Sequence, residues 1–192
     1  MARPAQQHPV PSGQTRTVLA PGAGRPADVI ELIMADHRRI RRLREALHDA
    51  ARYSGDSGPD WILAAAWQRL ADLLEAHTQA EEEICYLPMF GPGPEAAERR
   101  REAIADHDDI REAIREASLH RAGSALWWRP VRAVLAASAE HLDREECGVL
   151  ADCLPRLTVS GRRELGRQWS AFIAAWRQDA TPRPVGNGSC HL

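Results

Sequence analysis

Apolar side chains recur every three or four residues through most of the chain, the spacing that places them on one face of an α-helix. Period-two runs of β-branched residues are absent, so the sequence predicts no strands. Gly- and Pro-rich breaks divide the pattern into helical segments, and Pro88 with the Gly-Pro run that follows it is expected to end the second. The helices are expected at about 27–53, 60–86, 95–120 and 125–154, with a shorter one at 160–178.

Four long helices joined by short loops predict an all-α fold, an antiparallel up-down four-helix bundle with a short fifth C-terminal helix. The bundle domain is expected to span residues 27–180. Residues 1–26 are rich in Pro, Gly, Gln and Thr without helical periodicity, and residues 181–192 have a similar character. Both are predicted to be disordered arms.

The sequence of the bundle repeats itself. Residues 35–40 resemble residues 105–110, and residues 77–82 resemble residues 141–146. Each half of the bundle therefore supplies one lone His and one His-x-x-x-Glu motif. Two helical hairpins related by a pseudo-two-fold axis are expected.

Four histidines and two glutamates fall on the inward, apolar stripes of the four long helices, and Ile84 continues the stripe of the second. Two buried carboxylates with no inward Arg or Lys to pair with would each cost several kcal/mol, so they indicate a cation. A His and a Glu four residues apart share one helical face and can reach the same metal region. Six protein ligands exceed what one tetrahedral zinc takes, and mixed imidazole and carboxylate ligation favours iron or manganese. The candidate ligands are His37, His77, Glu81, His107, His141 and Glu145.

The order and spacing of these ligands resemble the haemerythrin-like cation-binding (HHE) family over about residues 27–155. The resemblance implies two iron ions bridged by Glu81 and Glu145, with an oxo or hydroxo bridge. It also implies how the histidines divide: one iron would take His37 and His77, and the other His107 and His141.

The chain departs from the oxygen-carrying members of that family at two positions. Those proteins have a further His four residues after the third-helix His, where this chain has Arg111, and a bridging Asp where it has Glu145. Without the extra His, open coordination positions are expected on both irons. The pattern is similar to variants linked to peroxide or nitric oxide breakdown, iron sensing and iron-cluster repair.

These features favour a redox enzyme that reacts with peroxide, dioxygen or nitric oxide, a non-haem di-iron oxidoreductase of the peroxidase or oxidase type. Two alternatives stay open. One is a di-iron oxidase or oxygenase acting on an organic substrate, which requires a cavity beside the irons. The other is an iron- or oxygen-sensing or iron-repair module rather than an enzyme.

Charge and composition exclude some partners. The net charge is −2, which provides no global field for nucleic acid or an anionic membrane. No apolar run approaches the roughly 20 residues that span a bilayer, and no signal peptide is apparent. The four cysteines match no zinc or disulfide framework. A cytoplasmic protein with reduced thiols is expected, its oligomeric state left open.

Several residues near the ligands have two possible roles. Glu82 and Glu146 directly follow the ligand glutamates, and either face solvent or support a neighbouring His. Tyr53 and Tyr86 are expected to pack, though either could approach the irons.

The sequence also leaves roles open for cysteines and tryptophans. Cys85 and Cys147 are expected to act as small apolar residues rather than redox groups. Trp169 and Trp176 are expected to dock the fifth helix.

Overall fold

The computed structural model describes residues 27–54 and 60–179, and throughout them the secondary structure is helical. The predicted arms at 1–26 and 181–192 lie outside these residues. Two long helices each contain a π-helical segment, the first between Asp60–Ala80 and Tyr86–Phe90 and the second between Ala125–Arg144 and Leu150–Cys153. The elements are α1 (Val29–Ser54), α2 (Asp60–Ala80, π-helical Glu81–Cys85, Tyr86–Phe90), α3 (Pro94–Ser118), α4 (Ala125–Arg144, π-helical Glu145–Val149, Leu150–Cys153) and α5 (Val159–Asp179).

The helices pack as the hairpin repeat predicts. α1 lies along α2 and α3 lies along α4, while α5 packs on α1 and α2. The predicted four-helix bundle with a fifth C-terminal helix is therefore confirmed. None of the described helices combines the length and the apolar character that a membrane span requires.

Two apolar clusters fill the interior, one towards each end of the bundle. The larger includes Leu47, Leu74 and Trp127, and the other includes Ile33 and Trp169 and joins α5 to the bundle. The predicted histidines and glutamates lie between the two clusters, in a polar layer that is almost fully buried and is called the ligand layer below. The two clusters thus hold four helices in register around an almost fully buried layer.

The second helix differs from its prediction at its C-terminal end. Pro88 does not stop it, although an interior proline removes one backbone hydrogen bond and its ring crowds the carbonyl four residues earlier. That carbonyl belongs to Ile84, in the π-helical segment where the α-helical hydrogen-bond pattern is already altered. The helix continues to Phe90 and ends at Gly91, whose φ of 77° is left-handed. Ile84, predicted to point inward, is partly exposed, and Cys85 is buried instead. The π-helical turn explains this change, since it adds a residue and rotates everything after it.

Candidate metal centre

The bundle brings all six predicted ligands together in one buried layer. Glu81 is at its centre: one carboxylate oxygen lies 3.1 Å from His77 Nε2, and the other lies 3.4 Å from His107 Nε2 and 3.6 Å from His141 Nε2. An oxygen of Glu145 lies 3.2 Å from His37 Nε2 and 3.8 Å from His141 Nε2. All six side chains are at most 4% exposed.

The ligand atoms form two groups compact enough for a metal ion each. The first comprises His37, His77, Glu81 and Glu145, and the second comprises Glu81, His107 and His141. Glu81 belongs to both groups, so its two oxygens face different histidines. The histidines divide as the resemblance implies. Glu81 faces both groups, as a bridge would, whereas Glu145, which the resemblance makes a second bridge, belongs to the first group only.

The hydrogen bonding of these groups fits a cation. Several buried atoms lie close to one another without hydrogen-bonding geometry: His37 Nε2, both ring nitrogens of His77, and all four oxygens of Glu81 and Glu145. Buried polar atoms are nearly always satisfied, and leaving them so is costly. Unpaired lone pairs from these four side chains are the donor set a metal ion binds, so the residues present fit a metal cation.

The electrostatics of the ligand layer also fit a bound cation. Burial raises the pKa of Glu81, but the neighbouring histidines outweigh it and hold that pKa well below its usual range. Burial and the charge of Glu81 raise the pKa of Glu145. Burial opposes protonation of His107, yet the nearby carboxylates of Glu81 and Glu82 raise its pKa to about 9. The two carboxylates thus depend on positive charge close by, which a bound cation would supply.

A π-helical turn begins at each of the two ligand glutamates, at Glu81–Cys85 in α2 and at Glu145–Val149 in α4. Turns of this kind are rare and concentrate at functional sites. Both turns start at the Glu of a His-x-x-x-Glu motif, so the two halves of the bundle resemble each other in backbone geometry as well as in sequence. The turn in α2 also directs Tyr86 inward, immediately after the ligand layer.

Each lone histidine is held from outside by a carboxylate of the other hairpin. His37 Nδ1 lies 2.7 Å from Glu146 Oε1, and His107 Nδ1 lies 2.8 Å from Glu82 Oε1. Because the Nδ1–H of each histidine donates to a carboxylate, its Nε2 keeps a lone pair that is directed at the ligand layer. Of the two roles left open for Glu82 and Glu146, the structure therefore favours support of a histidine.

An arginine completes each of these contacts. Arg41 donates to Glu146 at 2.7 Å, and Arg111 donates to Glu82 at 2.8 Å. Both arginines lie four residues after the lone His on the same helix, so the outer contacts are also pseudo-symmetric. Sequence reasoning missed Arg41 because it sits in an arginine-rich stretch of α1. The signal was present, since His-x-x-x-Arg occurs at both His37 and His107.

Arg111 is the residue that replaces the additional His of oxygen carriers. Its guanidinium points to Glu82 and Asp108 at 2.8 and 2.7 Å, away from the ligand layer. It fills no ligand position, so the second group has only His107, His141 and Glu81.

Tyr86 and Tyr53 have different environments. Tyr53 is 76% exposed, whereas Tyr86 is buried with its hydroxyl 2.9 Å from His107 Nε2. The Tyr86 ring also stacks on the His107 ring, with centroids 5.4 Å apart. Tyr86 thus packs, as predicted, and also reaches the ligand layer.

A cavity of about 360 Å³ leads from the surface to this side of the layer. Tyr86, His141 and Glu145 line its inner end, and Phe90 and Val149 form apolar walls. Charged side chains, Arg99 and Glu102 on α3 and Arg144 on α4, also line it. The ligand layer is therefore accessible to small molecules between α3 and α4.

α5 covers the opposite side of the layer. The ring of Trp169 contacts the ring of His77 edge-on, with centroids 5.6 Å apart, and is 2% exposed. Trp169 thus docks α5 as predicted, and its contact is with a candidate ligand. Among the described cysteines, Cys85 and Cys153 are buried, Cys147 is exposed, and none forms a disulfide.

A helical bundle that buries converging imidazoles and carboxylates is a metal-binding protein of the four-helix type. Comparison with protein families agrees: the model of the hemerythrin HHE cation-binding domain matches residues 28–153. The chain belongs to this family. Comparison with curated proteins and with solved structures finds no match.

Proposed function

We propose that the protein holds two iron ions in this layer and acts as a redox enzyme on a small oxidant, with peroxide as the first candidate. The observation that carries the proposal is the combination of two ligand groups sharing Glu81 with a cavity that reaches Glu145 of the first group and His141 of the second. His37, His77 and Glu145 would complete the first iron site, and His107 and His141 the second. When bound, the irons supply the electron-transfer chemistry.

The residues around the cavity have roles that suit a small oxidant. The apolar side chains of Phe90 and Val149 limit water in the cavity. Arg111 pairs with Glu82 and does not line the cavity. The Tyr86 hydroxyl is within hydrogen-bonding distance of His107 and lines the cavity. With a metal bound, His107 Nε2 would be a ligand, and the same hydroxyl would then be available to donate a hydrogen bond to an incoming oxidant.

The test is metal analysis followed by turnover. Protein loaded with iron under anaerobic conditions is expected to contain two irons per chain and to consume peroxide repeatedly in the presence of ascorbate. Tyr86→Phe is expected to keep both irons and lower turnover by about tenfold, the loss of one hydrogen bond of about 1.4 kcal/mol. Tyr53→Phe is the matched control, since that side chain is 76% exposed.

Three outcomes would overturn the proposal. Iron bound at one ion per chain would contradict the pair. Reversible, stoichiometric oxygen binding without turnover would indicate a carrier. Two irons that consume none of peroxide, dioxygen and nitric oxide would favour the sensing or repair module.

The cavity also favours a second candidate, oxidation of an organic substrate. About 360 Å³ exceeds what peroxide occupies and falls at the lower end of small-molecule sites. Arginines (Arg99, Arg144) and acidic residues (Glu102, Asp106) both line it, so a small polar compound with an apolar body would fit. Oxygen consumption that depends on such a compound, and falls when Val149→Trp fills the cavity, would support this candidate over peroxide reduction.

A further inference from the structure

The surface beside α5 carries a basic groove on the side of the molecule opposite the cavity. Its volume is about 410 Å³, and it runs between α1, α2 and α5. Arg39, Arg69 and Arg177 line it, one from each helix, together with Trp176 and a single acidic residue, Asp72. Among the described residues, none of the three arginines forms an ion pair, whereas Arg41, Arg111 and Arg144 elsewhere do.

Aromatic side chains connect this groove to the ligand layer. Trp169 contacts the His77 ring, and Trp176 lies two helical turns further along α5, on the same face. Phe172 lies between them in sequence, stacks on Trp176 with centroids 5.9 Å apart, and packs on the apolar cluster that contains Trp169. The groove is also close to the layer along α2, because Ala76, which precedes His77, lines it.

We propose that the groove is the docking site of an acidic, one-electron carrier protein, and that Trp169 and Trp176 carry its electrons to the metal centre. The proposal rests on the proposed function, since reduction of peroxide to two waters takes two electrons and two protons. The carrier supplies the electrons one at a time, and solvent supplies the protons. Once peroxide has oxidised the centre, Trp169 would give it an electron and take one from Trp176, which the docked carrier reduces, and a second carrier would supply the second electron by the same route.

Charge complementarity identifies the kind of occupant. Three unpaired guanidinium groups around an indole present a positive surface to an acidic face and speed its association. Both tryptophans can lose and regain an electron, which Phe cannot do. Docking here also separates the two reactants, because oxidant enters between α3 and α4 while α5 packs on α1 and α2.

The first experiment measures binding without turnover. An oxidised plant-type [2Fe–2S] ferredoxin of negative net charge is titrated calorimetrically into the full chain. Binding is expected, weaker at high salt because the contacts are exposed charges. Arg39→Gln/Arg69→Gln/Arg177→Gln is expected to weaken it by about tenfold or more. The control Arg129→Gln/Arg132→Gln/Arg156→Gln makes the same charge change outside the groove and should bind as the parent does.

The second experiment measures oxidation of reduced ferredoxin by the iron-loaded chain in the presence of peroxide, by stopped-flow absorbance, with the reaction of ferredoxin and peroxide alone subtracted. Trp169→Phe is expected to slow transfer by at least about tenfold at unchanged ferredoxin affinity, whereas Trp169→Tyr restores it because a phenol can be oxidised and rereduced. A merely structural role for Trp169 would not distinguish these two substitutions. Trp61→Phe, at a 70% exposed position outside the path, is the matched control.

The outcomes separate this inference from the proposed function. Peroxide turnover with ascorbate in a protein that does not bind ferredoxin would contradict the docking site and would still support the proposed enzyme activity. Equal transfer rates for Trp169→Phe and the parent would overturn the relay. Self-association that the groove triple variant abolishes, or binding of benzoate or phosphate in place of ferredoxin, would assign the groove to another occupant.

Discussion

At the scale of single residues, the outer partners of the histidines decide how the ligand atoms are presented. Glu82 and Glu146 each accept from the Nδ1 of a lone histidine and from an arginine one turn along the same helix as that histidine. A carboxylate fixed by a guanidinium fixes the tautomer and orientation of the imidazole in turn. The two contacts cross between hairpins, so they also join the halves of the bundle at the ligand layer.

Glu82→Gln and Glu146→Gln test these contacts. Each is expected to weaken iron binding by about tenfold or more, because an amide orients and polarises the imidazole less than a carboxylate does. Iron affinity, measured by competition with a coloured chelator, is the readout. Glu83→Gln makes the same change at an exposed neighbour and is the control. Unchanged iron affinity in both variants would show that the orientation of His37 and His107 does not depend on these outer carboxylates.

At the scale of elements, α5 is part of the site and not an accessory tail. It is anchored by an ion pair between Arg162 and Asp28 at 2.6 Å and by close approach of its backbone to the start of α1 at Gly166. A Cβ at Gly166 would collide with the carbonyl oxygen of Ala27. The absence of a side chain there is what lets Trp169, one turn later, reach His77.

Gly166→Ala is therefore expected to destabilise the protein by about 1–3 kcal/mol, the usual cost of forcing extra atoms into a packed contact. Denaturant unfolding followed by tryptophan fluorescence measures the change. Gly148→Ala is the control, since a Cβ there meets nothing within 4 Å. Equal stability of the two variants would mean that α5 is not held against α1 at this point.

At the scale of the whole molecule, the ligand layer lies between two apolar clusters, and both hairpins contribute candidate ligands to it. Two ionisable carboxylates in such a place are an unfavourable feature of the fold unless a cation compensates them. Metal binding should therefore be coupled to the stability of the entire bundle.

Iron is expected to raise the melting temperature. A ligand at a hundredfold excess over its dissociation constant contributes about 2.7 kcal/mol, or roughly 5 to 10 °C for a chain of this size. Differential scanning calorimetry of iron-loaded and chelator-treated protein measures the shift. His77→Ala should reduce it, because that substitution removes a ligand from the first group. A melting temperature indifferent to iron in the parent protein would contradict a metal in the layer.

The sequence by itself determined the helices, the hairpin repeat and the register of the candidate ligands. These are local properties: the apolar period places His37, His107 and His141 inward, and a spacing of four residues places Glu81 beside His77. The structure buries each of them where the pattern predicts. The end of α2 was less predictable, because Pro88 does not stop the helix and the π-helical turn rotates the residues after it, neither of which the apolar period reveals.

Only the tertiary structure decided what lies around those ligands. The pairing of Glu146 with His37 joins residues 109 positions apart, and no local pattern carries that distance. Tyr86 rather than Tyr53 reaches the layer because a π-helical turn rotates it inward, and Trp169 reaches His77 because α5 folds back onto α1 and α2. The cavity and the basic groove exist only as spaces between packed helices, so their residues become neighbours only when the bundle forms.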